Sequence, residues 1–375
     1  MNEKMDCTLY YNKKTATLHL KQIFTGFFEL ERKGFLHLKL EHRDWLPENY
    51  TENLLLAVIN NKYKVLYDVN DGFNWLWTNT EKNLQFFKET LSEKADFYFK
   101  RSFNNELLKY VPDGNSCKYY PLGLNYIVSS KSNRMESKQF DFKSWAKYQI
   151  KSNKVFARML KAEDLSLYDL SNYEYFPISQ NKEPKILFLT RVWDPGQIQK
   201  DKMEDNELYV NNVRDLNEIN EARVQTILEC RKLFGKQFTG GLSRDKLSLE
   251  KYPELIVPPE MTHRKNYLSL VKQSDICIAT TGLHKSIGWK FAEYIAAARG
   301  IISEKLHYEL PGNISSPTNY LEFSTVRDLL NNISLLLNNP ETLRKMMLDN
   351  YQYYNLYVKP ENIVLNSLLT VRANT

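Results

Sequence analysis

Short apolar runs that alternate with helix-length amphipathic stretches constrain this chain more than any other feature. In the second half, Lys185–Thr190 is almost continuously apolar, and a polar stretch from Arg191 leads into an amphipathic segment from about Asn217 to Phe234. Gln237–Gly241, Glu254–Val257, a helix from Thr262 to Gln273, Asp275–Thr280, a helix ending near Gly300 and Ile301–Ser303 then follow. Apolar strands separated by helices are what a parallel sheet covered on both faces requires. The first half has a related order: a strand at Cys7–Tyr11, a helix from His19 to Lys33 closed by Gly34, and a strand at Phe35–Leu40. A strand pair at Leu54–Asn60 and Lys64–Asp68, and strands at Asp96–Lys100 and Tyr119–Val128, complete it. The expectation is an α/β protein whose second half is a doubly wound domain and whose first half is similar in kind.

A chain of 375 residues is too long for one ordinary core and suits two. The expected division is 1–180, which includes the connecting segment, then 181–357, then a C-terminal helix over 358–375. Ser129–Lys138 and Phe140–Pro177 would carry the chain across, with the joint near Gln180–Pro184. A helix over Glu341–Tyr357 and a last one from Pro360 to about Thr370 close the chain, the latter free to pack back on the N-terminal domain.

Composition narrows the function. Lys and Arg number 51 against 45 Asp and Glu, a net charge of +6 that suits a solvated surface or a phosphate-bearing small molecule, and no dense basic block argues for nucleic acid. Cys7, Cys117, Cys230 and Cys277 lie far apart, without metal-ligand spacing, and Cys277 reads as a small core residue. The polar N-terminus does not read as a signal peptide, and no apolar stretch approaches the ~18 residues of a spanning helix. A cytoplasmic, reduced protein is expected, with peripheral contact at the inner face of a membrane left open.

Glycine is scarce, 13 in all, and eight of these fall between Gly196 and Gly312. Within that region the run from Ser274 to Gly300 reads as a buried strand, a small polar loop, and a helix carrying Gly288 and Lys290 in its first turn and Glu293 in its next. That order can hold a nucleoside diphosphate. Backbone N–H groups and the positive helix end meet the phosphates, and a carboxylate one turn on accepts from ribose hydroxyls.

Ala292-Glu-Tyr-Ile-Ala-Ala-Ala-Arg-Gly300, preceded by Lys285-Ser-Ile-Gly288, resembles the nucleotide-binding helix and loop of the GT-B glycosyltransferases, in their group 1 and group 4 type C-terminal domain. The likeness extends over roughly Pro184–Tyr357. It implies two facing Rossmann-like domains with the substrate cleft between them, and it aligns Glu293 with the glutamate that binds the donor ribose. Lys285 stands where that family carries a second glutamate, a departure that leaves retention or inversion open and would suit a diphosphate or an acidic sugar.

Arg191, directly after an apolar strand, resembles the family's phosphate-binding arginine; the other reading is an interdomain salt bridge. Trp193 and Asp194 would line the cleft. The expected donor-binding set is Arg191, Gly241, Thr281, Gly282, Leu283, His284, Lys285, Ser286, Gly288, Lys290 and Glu293. Gly240 and Gly241 admit close donor approach or a plain turn, and Tyr320 and Phe323 a family-like segment or core. For a general base on the acceptor side, His19 and Asp71 are the candidates, against helix capping for His19 and turn chemistry for Asp68 and Asp71. Lys100 and Arg101 would guide an anionic acceptor or sit on the surface. No metal site and no cofactor is expected, since Asp-x-Asp is missing from the usual place after a nucleotide-binding strand.

These readings imply a hexosyl or related glycosyltransferase, metal-independent, bacterial, and engaged in surface polysaccharide or glycoconjugate synthesis. Its partners would be a nucleotide-sugar donor and a glycan or lipid-linked glycan acceptor, with no nucleic acid. The alternatives are an epimerase or phosphorylase on the same fold, or a non-catalytic protein that binds nucleotide sugars or glycans.

Overall fold

The computed structural model describes residues 4–12, 15, 18–46, 52–76, 79–136, 165–179, 181–197 and 206–375. The crossing segment expected over 129–177 therefore lies outside the described residues at 137–164, and Gln180 of the expected joint does too. The chain divides into two compact units: Met1–Asn70, Phe86–Tyr173 and Leu356–Thr375 form one, Asp71–Gln85 and Glu174–Asn355 the other. The first boundary differs from the expected one in an instructive way. Residues 71–85, which follow a strand of the first unit, fold with the second.

The first unit holds a mixed six-stranded sheet in the order β2-β1-β3-β4-β5-β6. These strands are β1 Met5–Tyr11, β2 Leu36–His42, β3 Leu54–Ile59, β4 Tyr63–Asp68, β5 Phe97–Lys100 and β6 Lys118–Pro121. The strand pair expected at 54–68 is an antiparallel hairpin. Its tip uses Asn60 and Asn61 with φ of 50° and 53°, a left-handed conformation that asparagine tolerates better than most residues. That hairpin makes the sheet mixed, where a purely Rossmann-like half would be parallel. The strand expected at 119–128 stops at Pro121, since proline cannot donate to a ladder.

Helix α1, Lys21–Arg32, covers this sheet and buries Ile23, Phe24, Phe27 and Phe28, residues spaced three and four apart. The C-terminal helix Pro360–Ala373 packs on α1 within the same unit. Gln22 Nε2 donates to Val358 O at 2.8 Å, Lys33 pairs with Glu361 at 2.9 Å, and Tyr67 and Ser367 share a hydrogen bond of 2.6 Å.

The second unit is built on a fully parallel five-stranded sheet in the order β11-β10-β9-β7-β8. Its strands are β7 Ile186–Thr190, β8 Phe238–Leu242, β9 Ile276–Ala279, β10 Gly300–Glu304 and β11 Leu321–Phe323. Every strand of this sheet but β11 lies on an apolar run singled out in the sequence. Glu254–Val257 forms only a single bridge, Ile256 to Leu242, because Pro253 opens a tight turn and Pro258 closes the run. Helices α2 Thr80–Phe86, α3 Asn206–Phe234, α4 Arg264–Gln273, α5 Trp289–Ala296, α6 Val326–Asn338 and α7 Pro340–Tyr353 accompany it. Asp328 and Thr325 cap α6 reciprocally.

Candidate functional site

The chain leaves β7 for β8 on one side and returns to β9 on the other, so the sheet's direction of winding switches between β7 and β9. In an open parallel sheet ligands sit beyond the carboxyl ends of the strands at such a point. Arg191, Val192 and Trp193 leave β7 there, and Thr280 and Thr281 leave β9.

Arg223, in the middle of α3, ties the two strand ends together. It is buried, and it donates to Arg191 O at 2.8 Å, to Thr280 Oγ1 at 3.3 Å and to Thr281 O at 3.4 Å. Burial pulls its pKa down to about 10, with Glu304 acting to raise it and Arg191 to lower it. One turn earlier, Asn220 accepts from Trp193 N–H at 2.8 Å and donates to Trp193 O at 2.7 Å. The Trp193 ring in turn lies 3.9 Å from the Arg191 guanidinium, a cation–π contact that orients the arginine. Asp194 accepts from Gly196 N–H at 2.9 Å and shapes the turn beyond.

After β9, Thr281 gives both its N–H and its hydroxyl to Glu304 Oε2, each at 2.6 Å. Glu304 ends the neighbouring strand β10, so the loop is anchored from the next strand over. Ser286 closes the loop on itself, its Oγ donating to Leu283 O at 2.9 Å and its carbonyl accepting from Gly282 N–H at 3.0 Å. Between them His284 and Lys285 both adopt left-handed backbone, φ 56° and 55°. Two consecutive non-glycine residues in that region are costly, and such strain persists where the surroundings enforce it. Here Tyr308 Oη donates to His284 O at 2.6 Å, and Asn74 Nδ2 donates to His284 Nε2 at 3.3 Å. Burial lowers the His284 pKa, and Asp71 and Asp215 offset part of that.

Helix α5 opens with Gly288 as its N-cap residue. Lys290, half-buried, donates its ammonium to Leu189 O near the end of β7 and lies 5.2 Å from the Tyr267 ring. Burial pushes its pKa down to about 8; Glu293 acts to raise it, and Arg223, Arg264 and Arg191 to lower it. Glu293, one turn on, is buried and pairs through Oε1 with Arg264 Nη2 at 2.6 Å. Its Oε2 is buried without a hydrogen-bond partner. Arg191, Arg223 and Arg264 thus all act on Lys290, and Glu293 beside it has an acceptor atom to spare.

No protein-family model matches the chain, and no curated protein matches it either. Among solved structures it is similar to HepE of Anabaena in complex with UDP and glucose, at 8% identity over 97% of this chain and 98% of that one, with a TM-score of 0.48. It is also similar to the pneumococcal O-GlcNAc transferase GtfA in complex with UDP and GlcNAc, at 14% identity, 92% and 54% coverage and a TM-score of 0.40. The C-terminal domain of LpcC, a glycosyl transferase group 1 family protein of Francisella tularensis, matches half of this chain and 96% of its own, at 12% identity and a TM-score of 0.32.

Of the expected donor-binding residues, Arg191, Thr281, Gly282, Leu283, His284, Lys285, Ser286, Gly288, Lys290 and Glu293 all lie on the β7 exit or on the β9–loop–α5 passage. Arg191 lies over Trp193, and the competing salt-bridge reading finds no ion pair to it among the described residues. Gly241 is different: it lies inside β8, where an added Cβ would stand 2.5 Å from Leu255 O, so packing accounts for the glycine. Tyr320 and Phe323 are core residues, Tyr320 edge-on to Phe291 at 5.7 Å.

The two base candidates part company. His19 lies in the turn before α1 in the first unit, where its carbonyl accepts from Asn125 Nδ2 at 3.3 Å. Asp71, expected within 1–180, belongs to the second unit, in the 71–85 segment that reaches His284. Gly72, φ +57°, makes that approach feasible, since a Cβ there would lie 2.8 Å from His284 Cβ. Asp68 does the expected turn work, its Oδ1 accepting from Asn70 N–H at 2.8 Å, but it is also fully buried, its Oδ2 paired with Lys100 at 2.9 Å and accepting from Tyr98 Oη at 2.6 Å. Lys100 and Arg101 are likewise buried and not on the surface.

The residues that sequence reading missed are Asn220, Arg223, Arg264 and Glu304. Each acts across a long sequence separation from a helix or strand that carries no motif. Among the described residues no group of three or more His, Cys, Asp or Glu side chains is gathered as metal ligands are, and no helix is long and apolar enough to cross a membrane.

Proposed function

We propose that this chain is a GT-B type glycosyltransferase that moves a sugar from a nucleoside diphosphate sugar to a hydroxyl of a glycan. The observations that carry the reading are the three guanidinium groups Arg191, Arg223 and Arg264 that act on Lys290, and Glu293, held by Arg264 with its Oε2 lacking a partner, at the switch point of a parallel sheet. A diphosphate satisfies the cations, and a ribose hydroxyl donates to the spare carboxylate oxygen. Arg191 and Lys290 hold the phosphates, Glu293 the ribose, and the loop 281–288 the sugar.

On this reading catalysis comes from positioning and from stabilising the charge that grows on the departing diphosphate. Arg191, braced on Trp193, and the first-turn N–H groups of α5 serve that charge. The chain's own cations suffice for it, and no metal or cofactor enters the proposal. His19 or Asp71 takes the proton of the attacking hydroxyl. The finer proposals are a hexosyl or related sugar, a glycan or lipid-linked glycan acceptor of bacterial surface polysaccharide or glycoconjugate synthesis, and a cytoplasmic protein with peripheral membrane contact.

The test is turnover. Purified protein is incubated with UDP-, GDP-, CDP- and dTDP-sugars, with and without chelator, and release of the nucleoside diphosphate is followed. Slow hydrolysis of one donor, indifferent to chelator and abolished in Arg191→Ala, is expected; a protein that turns over none of them contradicts the enzyme reading.

A further inference from the structure

Lys290 makes an unusual choice of partner. Glu293 lies on the same helix face three residues on, the spacing at which a lysine and a glutamate ordinarily meet, yet the ammonium reaches Leu189 O at the end of β7 while Glu293 turns to Arg264. On the amine act Arg191 after β7, Arg223 on α3 and Arg264 on α4, against the carboxylate of Glu293, while Glu304 of β10 acts on Arg223 and Asp245 on Arg191. The Tyr267 ring lies against it from α4, and the buried thiol Cys277 of β9 is a further titratable neighbour. A carbonyl accepts from a neutral amine as well as from an ammonium, so this partner tolerates either protonation state. Burial first, and then the three guanidinium groups, disfavour the charged amine until an anion arrives to offset them.

We propose that Lys290 is a proton-coupled anion ligand: an entering diphosphate draws its amine from the Leu189 carbonyl, and the amine takes a proton from solvent as it engages the phosphate oxygens. The inference rests on the donor-site reading above and deepens it, since it makes Lys290 the group through which the site distinguishes a charged phosphate from a neutral ligand. The balance is one proton from buffer added to each amine that is neutral in the free site, a fraction that grows with pH, with no covalent bond made or broken in the ligand. The depressed pKa of about 8 agrees with it. If the bound anion restores the ordinary lysine value near 10.4, uptake is about 0.1 proton at pH 7 and about 0.9 at pH 9, and affinity falls roughly tenfold between them.

Isothermal titration of the full chain with UDP and with GDP, at pH 7 and pH 9 in two buffers of different ionisation enthalpy, reads proton uptake directly. Wild type is expected to take up close to one proton at pH 9 and to bind about tenfold more weakly there than at pH 7. Lys290→Arg, whose guanidinium stays charged, is expected to bind with no uptake and a flat pH profile, and Lys290→Met to bind weakly at both pH values without uptake. Binding by wild type without proton uptake, or uptake that persists unchanged in Lys290→Arg, overturns the role of Lys290 and leaves the donor site standing. Failure of both nucleotides to bind at either pH overturns the donor site and this inference with it.

Discussion

Arg264 Nη2 stands 2.6 Å from Glu293 Oε1, and the glutamate side chain it holds is 1% exposed. The pair fixes one carboxylate oxygen and leaves the other, Oε2, buried and unpartnered. An unsatisfied buried acceptor is a standing cost, which a ligand hydroxyl relieves.

Arg264→Met should leave Glu293 buried without the guanidinium that pairs with it. Breaking a buried pair costs about 3–5 kcal/mol, and partial exposure of Arg264 reduces that to about 2–3 kcal/mol. Urea unfolding should therefore register a loss of that order, and Arg264→Met with Glu293→Gln should lose less than Arg264→Met alone. Equal losses would mean that the two side chains are not coupled.

Arg223 holds Arg191 O, Thr280 Oγ1 and Thr281 O from inside α3. Lysine keeps the charge but cannot fork to three acceptors. Arg223→Lys is expected to lower Tm by several degrees and to weaken nucleotide binding more than tenfold, measured by calorimetry. Unchanged binding in a folded variant would show that the two strand ends do not need this tie.

In the first unit Lys100 and Asp68 are both fully buried and 2.9 Å apart, with Tyr98 Oη also donating to Asp68. Lys100→Met removes the counter-charge of a carboxylate that keeps Tyr98 Oη and Asn70 as donors, with an expected loss of about 3 kcal/mol. Adding Asp68→Asn should recover part of it, since the charge is then removed together with its partner. A double variant as unstable as the sum of the two singles would contradict that account.

Lys290 also links stability to pH. Its folded pKa, about 8, lies below the ordinary unfolded value near 10.4, so between those values the unfolded chain binds the extra proton. The contribution of Lys290 to stability therefore rises with pH across that window, opposite in direction to the expected change in ligand affinity. Chemical denaturation of the ligand-free protein at pH 7.5 and 9.5 should show a rise that Lys290→Met diminishes.

How much of this was legible follows from where the information lies. The passage from Ile276 to Glu304 was readable because strand, loop, helix and next strand are consecutive, and each step carries a local signal: apolar run, small polar residues, helix start, glycine. Arg223 and Asn220 were not, since on an amphipathic helix they look like ordinary polar positions until the β7 exit packs against them. Asp71 was assigned to the wrong unit because a polar turn after a strand says nothing of which sheet the chain visits next. Gly241 misled in the opposite sense: a glycine in a strand end suggests ligand approach, and only the Leu255 carbonyl beside it reveals packing. Asp68 and Lys100 looked like separate strand-end charges, because the register that pairs β4 with β5 is not written in either strand alone.

The most direct measurement is the thermal shift of wild type and Glu293→Ala with UDP, GDP, CDP, dTDP and CMP and their common sugar conjugates. Stabilisation of wild type by one base, by several degrees and absent in Glu293→Ala, is the expected result and names the donor. Stabilisation by none of them, or by the same amount in the variant, would contradict a nucleotide-sugar site built on Glu293.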